Sequence, residues 1–592
     1  MSEYRHPYKD VEFVLDKLVD FDALCCDAGL DGINSELASV ILAEAGKFGA
    51  GVLAPLNIIG DTEHPTLGAD EVEETQGFSE AYHQFMEGGW SSLTCDEAFG
   101  GQALPSVLGT AVNEIWQSSN MAFSLCPMLS AGAIESIYHH GSESLKQAYL
   151  PKMVSGEWTG TMNLTEPDAG SDLAAIKTKA IVNDDHYLIA GQKIFITWGD
   201  HQMTENIVHL VLARLPEAPA GVKGISLFVV PKFLLDHNGN PSVRNDVKCV
   251  SLEHKLGIHG SPTCVMSFGD NEGAVGYLVG EKHQGLAYMF TMMNHARQVV
   301  GLQGLAISER SYQQATEYAK ERLQGTNKDG SRFAIIKYPD VRRMLMIMKS
   351  SIEAMRGLAM IASAEIDRSN YAKETEETNK HRDRVELLTP IVKGWLTEMS
   401  QELTYLGTQV NGGMGFIEET GSAQHYRDAR ILTIYEGTTG IQALDLVGRK
   451  TLLNNGEHLS LLMREISQVA NRMEDFSSLI NQGRALKSAL SSGQYALEIL
   501  LASASVDSTN SGSISVNFMM MFGYICGAWV MGLSAIEAQK MLDNNEGEED
   551  FLNAKLITAQ FYSEHLLPRV ASHLTTIRAG SVSIMALDEE MF

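Results

Sequence analysis

Between about residues 160 and 280 this chain gives up helical spacing for short runs rich in β-branched and aromatic residues, and on both sides of that block helical spacing returns. The runs are 187–189, 193–197, 207–212, 225–230 and 263–268, each bounded by turn residues and with no long helical pattern between them. Such spacing predicts an antiparallel barrel or sandwich. Upstream, residues 10–24 and 35–47 place apolar side chains three and four apart, as an amphipathic helix requires. Residues 142–150 read as a short helix stopped by Pro151, and 57–77 as a polar, Gly/Pro-punctuated loop. Downstream, 281–326, 340–366 and 385–410 are long amphipathic segments, with the charged stretch 367–384 expected to be a solvated connection. Further helical patterns occupy 457–476, 483–505, 514–542 and 549–577, with 508–513 expected to be a polar linker. At 592 residues the chain exceeds what one core supports. The predicted class is α+β multidomain: a helical domain over 1–160, a β-domain over 161–280, a helical bundle over 281–450 and an extra helical domain over 451–592.

A formal charge of −29 gives a surface that repels phosphate backbones and anionic lipid, which argues against nucleic acid and stable membrane insertion as functions. The strongest apolar run, 518–533, is short for a span and interrupted by Gly523, Gly527 and Gly532, so a buried, Met-rich core helix is expected there. Seven scattered cysteines without a CxxC pair argue against a disulfide scaffold or a zinc site and suit a reducing compartment. No metal site is expected. The first residues carry no leader-like pattern and the last match no lipidation or peroxisomal signal, so a cytoplasmic location is expected.

Two stretches carry chemistry. Tyr435-Glu436-Gly437-Thr438-Thr439-Gly440 sets one carboxylate between apolar and aromatic neighbours and a flexible, hydroxyl-bearing turn. Apolar surroundings strip hydration from a carboxylate, raise its pKa and make it a better base near neutral pH. Read alone, such a glutamate is far more often an ordinary solvated side chain. The second stretch, residues 161–172, joins strand-like residues to a proline-fixed bend and a Gly-Ser turn. Its backbone amides and hydroxyls can meet the polar edge of a flat ring; it can equally be a plain β-turn before a strand.

Four ordered motifs give a resemblance. T-E-P-x-A-G-S-D at 165–172, G-Q-K-x-F-I-T at 191–197, K-L-G-I-x-G-S-P-T at 255–263 and I-Y-E-G-T at 434–438 resemble the acyl-CoA dehydrogenases in order and approximate spacing, over roughly residues 35–450. The helices past 450 resemble the longer bacterial branch that includes 3-methylmercaptopropionyl-CoA dehydrogenases. The resemblance implies FAD as cofactor. It implies that Met162, Leu164, Thr165 and Ser171 line the flavin ring, Ser171 also lying near the CoA chain. It puts Phe195, Ile196 and Thr197 on the flavin's other face, Phe195 standing where many relatives carry Trp. Arg322 and Gln324 would reach the FAD of a neighbouring subunit, Arg322 neutralising pyrophosphate charge; without the resemblance Arg322 is a solvated helix-end cation. Gln409, Gly412 and Gly413 resemble an FAD-binding turn, and Thr438 and Thr439 adenosine-side contacts. Asn294, Arg297, Tyr435 and Gly437 match substrate contacts.

The implied reaction is α,β-dehydrogenation of an acyl-CoA thioester. Some relatives carry their base where this chain has Ala296, which cannot accept a proton, so Glu436 is the expected base. Glu166, before a proline, and Glu418, beside Glu419, read as structural or solvated. The backbone N–H of Glu436 would stabilise the enolate-like charge on the thioester carbonyl. Electron transfer flavoprotein is the implied acceptor, and a homodimer or dimer of dimers the implied assembly. Alternatives are an acyl-CoA oxidase, a catalytically silent nucleic-acid-binding relative, which the negative charge argues against, and an inactive acyl-CoA-binding scaffold.

Overall fold

A computed structural model of the chain describes residues 3–69, 71–503 and 508–592. The chain divides into two compact units. One comprises Met1–Gly46, Pro105–Ser118 and Arg297–Phe592; the other comprises Lys47–Leu104 and Ser119–Ala296.

The second unit holds the sheet that the short runs predict. Its strands are β1 (Trp158–Asn163), β2 (Lys179–Asn183), β3 (His186–Thr197), β4 (Asn206–Arg214), β5 (Ile225–Pro231), β6 (Val247–Leu252), β7 (Thr263–Phe268) and β8 (Ala274–Leu278). They pair in the order β6-β7-β3-β8-β5-β4-β1, and β2 bridges β3 and β4, closing a ring of pairings. The ladders are antiparallel except where β1 and β2 meet β4 in parallel. The two expected runs at 187–189 and 193–197 are one twelve-residue strand, because Ala190–Gln192 keep the extended ladder with β2 and β7. β1 and β5 are buried at every position, which is why the sequence of β5 reads as a nearly continuous apolar run. The helix Met121–His140 is largely buried in the same unit.

The other unit is helical. Pro339–Tyr371 and Thr375–Asn411 pack along each other, and Glu457–Glu474, Ile480–Ser503, Ser508–Asp543, Glu549–Phe561 and Arg569–Ala579 follow. Met355, Leu388, Trp395, Leu462, Leu486, Phe522 and Tyr562 belong to one core cluster. The segment past 450 therefore shares its core with the helices before it. Ser508–Asp543 is the centre: Phe518, Met519, Met521, Phe522, Ile525, Cys526 and Val530 are fully buried. Gly523 is a seat for an indole; a Cβ there would lie 2.2 Å from Trp395 Cγ. The glycines that interrupt the apolar run are thus close-packing positions in a core helix. Arg356 is buried between Glu114 and Glu309, its Nη2 2.7 Å from a carboxylate oxygen of each, an arrangement that holds only because both anions accompany the cation.

By length and composition Ser35–Thr62, Met121–His140 and Thr509–Asp543 could each cross a membrane, but 78% and 89% of the apolar windows of the latter two are inside the protein.

Several expected boundaries move. Residues 57–62 of the expected loop are helical, within Ala54–Thr62, which has Pro55 at its start, where the missing N–H costs nothing. Glu143–Val154 continues past Pro151, with Ser155 as its C-cap. The charged stretch 367–384 is almost wholly helix: Pro339–Tyr371 runs on, and Thr375–Asn411 begins after three residues. Arg368 pairs with Glu365, and His381 Nδ1 lies 2.7 Å from the same carboxylate. Residues 508–513 belong to the helix Ser508–Asp543, since the buried run beyond them propagates helix into a polar N-terminus.

Candidate active site

Glu436 lies in the turn between Arg430–Thr433 and the helix Thr439–Gly448, and its backbone has a φ of +55°. A non-glycine residue there stores strain on the order of 1 kcal/mol or more, tolerated only where surrounding contacts fix it. Those contacts are visible. Lys393, on Thr375–Asn411, donates from Nζ to the carbonyls of Leu432 (2.8 Å) and Gly437 (2.7 Å). Gln442 Nε2 donates to the carbonyls of Glu436 (3.1 Å) and Gly437 (3.3 Å). Gly437, at φ +91°, takes the second left-handed position. Thr438 caps the next helix, its Oγ1 accepting from Ile441 N–H at 3.3 Å, and Thr439 donates to Glu398.

Burial raises the Glu436 carboxyl above its ordinary range, and the Arg297 and Lys393 cations pull it back part of the way. Burial lowers the Lys393 ammonium to about 7, opposed by the charge of Glu436. Arg297 is buried with Nη1 3.4 Å from Asp445, so it stands beside the base as a compensated cation. The Tyr435 hydroxyl donates to Gln303 Oε1, whose amide in turn donates to Gln117 at 3.2 Å. A polar thread therefore leads from the residue next to the base into the helical core.

Elsewhere in the helical unit, Arg322 and Gln324 are exposed on the short hairpin Leu323–Thr326/Arg332–Ala334, just past the helix Gly285–Glu321. Gln409 is exposed at the end of Thr375–Asn411, and its carbonyl accepts from Gly412 N–H. Gly412 (φ +58°) and Gly413 have no atom within 4 Å of the point a Cβ would occupy, so this turn leaves its backbone open to an approaching group.

In the sheet unit, Met162 ends β1 buried, Leu164 and Thr165 are half-buried, and Ser171 is exposed. Phe195 is 58% exposed at φ +59° near the end of β3, Ile196 is buried and Thr197 half-buried. Asn294 is exposed. Glu166 anchors this region: its carboxylate accepts from the Lys177 N–H (2.6 Å), the Thr178 N–H (3.1 Å) and hydroxyl (2.6 Å), and the buried Lys193 (2.8 Å). Lys193 also donates to Leu164 O at 3.0 Å. The T-E-P bend is thereby fastened to β3. Glu418 is an exposed partner of Arg427.

Sequence reasoning missed Lys393, Gln442, Gln303 and Asp445. A lysine and a glutamine embedded in otherwise apolar helical stretches, 387–396 and 441–447, are the available signal, since a buried polar group needs a partner.

Models of four acyl-CoA dehydrogenase domains match this chain: the N-terminal domain at residues 62–157, the middle domain at 161–271, the C-terminal domain at 283–451 and the acetyl-CoA dehydrogenase C-terminal-like domain at 462–588. The 3-methylmercaptopropionyl-CoA dehydrogenase of Ruegeria pomeroyi is 44% identical over 98% of this chain and 99% of its own length. Among solved structures, Caenorhabditis elegans ACDH-11 in complex with C11-CoA aligns at a TM-score of 0.77 and 20% identity, over 95% of this chain and 92% of that one. The Bacillus anthracis acyl-CoA dehydrogenase complexed with FAD aligns at 0.75 and 20% identity, over 95% and 90%. The chain belongs to the acyl-CoA dehydrogenase family, which bears out both the resemblance of its motifs and the expected fold class.

Proposed function

We propose that this protein is an FAD-dependent acyl-CoA dehydrogenase that converts a saturated acyl-CoA to the trans-2-enoyl-CoA with Glu436 as base. The observation that carries the reading is the turn at 432–437: a half-buried carboxylate on a left-handed backbone, with the carbonyls around it tied by two buried side chains. Raising the pKa of a carboxylate is what abstraction of a weakly acidic α C–H demands.

The residues present fit FAD. The open Gly412-Gly413 turn admits close backbone approach, the exposed Phe195 offers a ring face, and Arg322 offers a guanidinium for the pyrophosphate of a neighbouring subunit's FAD. Met162, Leu164, Thr165, Ser171, Ile196, Thr197, Gln324, Gln409, Thr438 and Thr439 would complete the holding set. Bound FAD supplies the acceptor that takes the β hydrogen as hydride. The chain's own part is proton chemistry: Glu436 takes the α proton while its N–H donates to the thioester carbonyl as negative charge develops there. Arg297 and Lys393 offset part of the rise that burial imposes on the Glu436 carboxyl, and an apolar acyl chain that displaces water raises its basicity further. Asn294, Tyr435 and Gly437 would line the thioester's course. Electrons then pass to electron transfer flavoprotein, the protein acting as a homodimer in a bacterial cytoplasm. The 44% identical relative puts 3-methylmercaptopropionyl-CoA first in a substrate panel.

Anaerobic mixing with a panel of acyl-CoA thioesters tests the reading. Wild-type flavin should bleach with at least one, and Glu436→Gln should retain flavin yet bleach at least about a hundredfold more slowly. A variant that bleaches at the wild-type rate removes Glu436 from the role.

A further inference from the structure

We propose that Lys393 is a positioning residue for the base: its ammonium ties the backbone on both sides of Glu436 and so fixes where the carboxylate points. This inference rests on the proposed dehydrogenase reading for its kinetic consequence, but not for its structural one.

Lys393 is 0% exposed on an otherwise apolar turn of Thr375–Asn411. Among the described residues it forms no ion pair; its hydrogen bonds go to two backbone carbonyls, those of Leu432 and Gly437. A buried ammonium without a carboxylate partner is an expensive way to stabilise a helix, and an apolar side chain of the same length would pack there at lower cost. What the apolar side chain could not do is hold two carbonyls five residues apart at once. The tie closes the turn before Glu436 and after it. Gln442 adds a second tie, to the carbonyls of Glu436 and Gly437. Between them the carbonyls of Leu432, Glu436 and Gly437 are fixed, and with them the left-handed φ of Glu436. A helix of 37 residues is a rigid post from which to hold such a turn. On the carboxylate itself Lys393 acts only through its charge; its hydrogen bonds go to the backbone, and through them it orients the base.

The test compares flavin-loaded wild type with Lys393→Met, which keeps length and removes the donors, and Lys393→Gln, which keeps a donor. Turnover is normalised to bound flavin, and amide hydrogen exchange of residues 432–438 is followed by mass spectrometry. For Lys393→Met, kcat should fall roughly ten- to a hundredfold as the base loses its alignment, with KM held within about threefold because substrate binding elsewhere is intact. Exchange across 432–438 should accelerate, and Lys393→Gln should recover part of both. Wild-type kcat per flavin together with unchanged exchange in Lys393→Met would overturn the proposal. Should Lys393→Met not fold, Lys393→Gln decides alone: reduced kcat at unchanged KM with faster loop exchange supports the role, wild-type values remove it. If the wild type itself turns over no thioester, the dehydrogenase reading falls, while loop exchange in the variants still judges the tie.

Discussion

At the scale of single residues, the molecule separates glutamates that look alike in sequence. Glu436 is half-buried and left free to act; Glu166 is buried and spent on holding the bend at 165–172 to β3 through Lys193 and Thr178. Burial lowers the Lys193 ammonium to about 8, against the pull of Glu166. Glu166→Ala leaves that cation buried with only the Leu164 carbonyl, so a loss of about 3–5 kcal/mol is expected, read by urea denaturation. Loss of less than about 1 kcal/mol would show the pair to be dispensable. The sequence could rank Glu166 below Glu436 as a base from the proline beside it. It could not show what Glu166 grips, because Thr178 and Lys193 are 12 and 27 residues away.

At the scale of elements, strands and helices obeyed their periodicities, and the errors fell where packing overrides composition. Residues 508–513 are polar and rich in small side chains, yet they continue a helix whose stability comes from Phe518 onward. Gly523 gives a direct contest between propensity and packing. Alanine gains about 1 kcal/mol over glycine in a helix interior. A methyl group 2.2 Å from Trp395 Cγ, in a core without slack, costs about 1–3 kcal/mol or more. Since the clash is with a ring base rather than a flexible tip, packing should win, and Gly523→Ala should lower the melting temperature. A raised melting temperature would mean that the indole moves aside freely. The charged segment 367–384 makes the same point in reverse: pairs such as Arg368–Glu365 let a polar sequence remain helical.

For the whole molecule, three histidines buried as neutral rings set the response to acid. His201 accepts the Met203 N–H at Nδ1 (3.2 Å) and meets Thr159 at Nε2 (3.0 Å); His209 meets Thr161 at 2.7 Å; His6 is enclosed near Arg356. Burial lowers each to about 3. The unfolded chain binds protons at these rings below about 6.5 while the folded chain does not, so stability falls as pH drops through that window. The expected loss is about 1 kcal/mol per histidine per pH unit, well above the pH at which ion-paired carboxylates protonate. Melting temperatures between pH 7 and 5 should decline steeply, and His209→Gln should decline less steeply. A flat profile in both would show that these rings protonate without unfolding.

How much was legible follows from range. Local periodicity determined the helix–sheet–helix order, and four short motifs determined the family, because each depends on neighbours within a few residues. The base was identifiable for the same reason: Glu436 sits beside Tyr435 and before Gly437. What holds that base came only from tertiary structure. Lys393 and Gln442 approach the turn from two different helices, and no spacing rule links residue 393 to carbonyls at 432 and 437. The fusion of the segment past 450 with the earlier helices into one core was likewise decided by packing, since an apolar run as long as 518–533 must be surrounded and its sequence does not say by what.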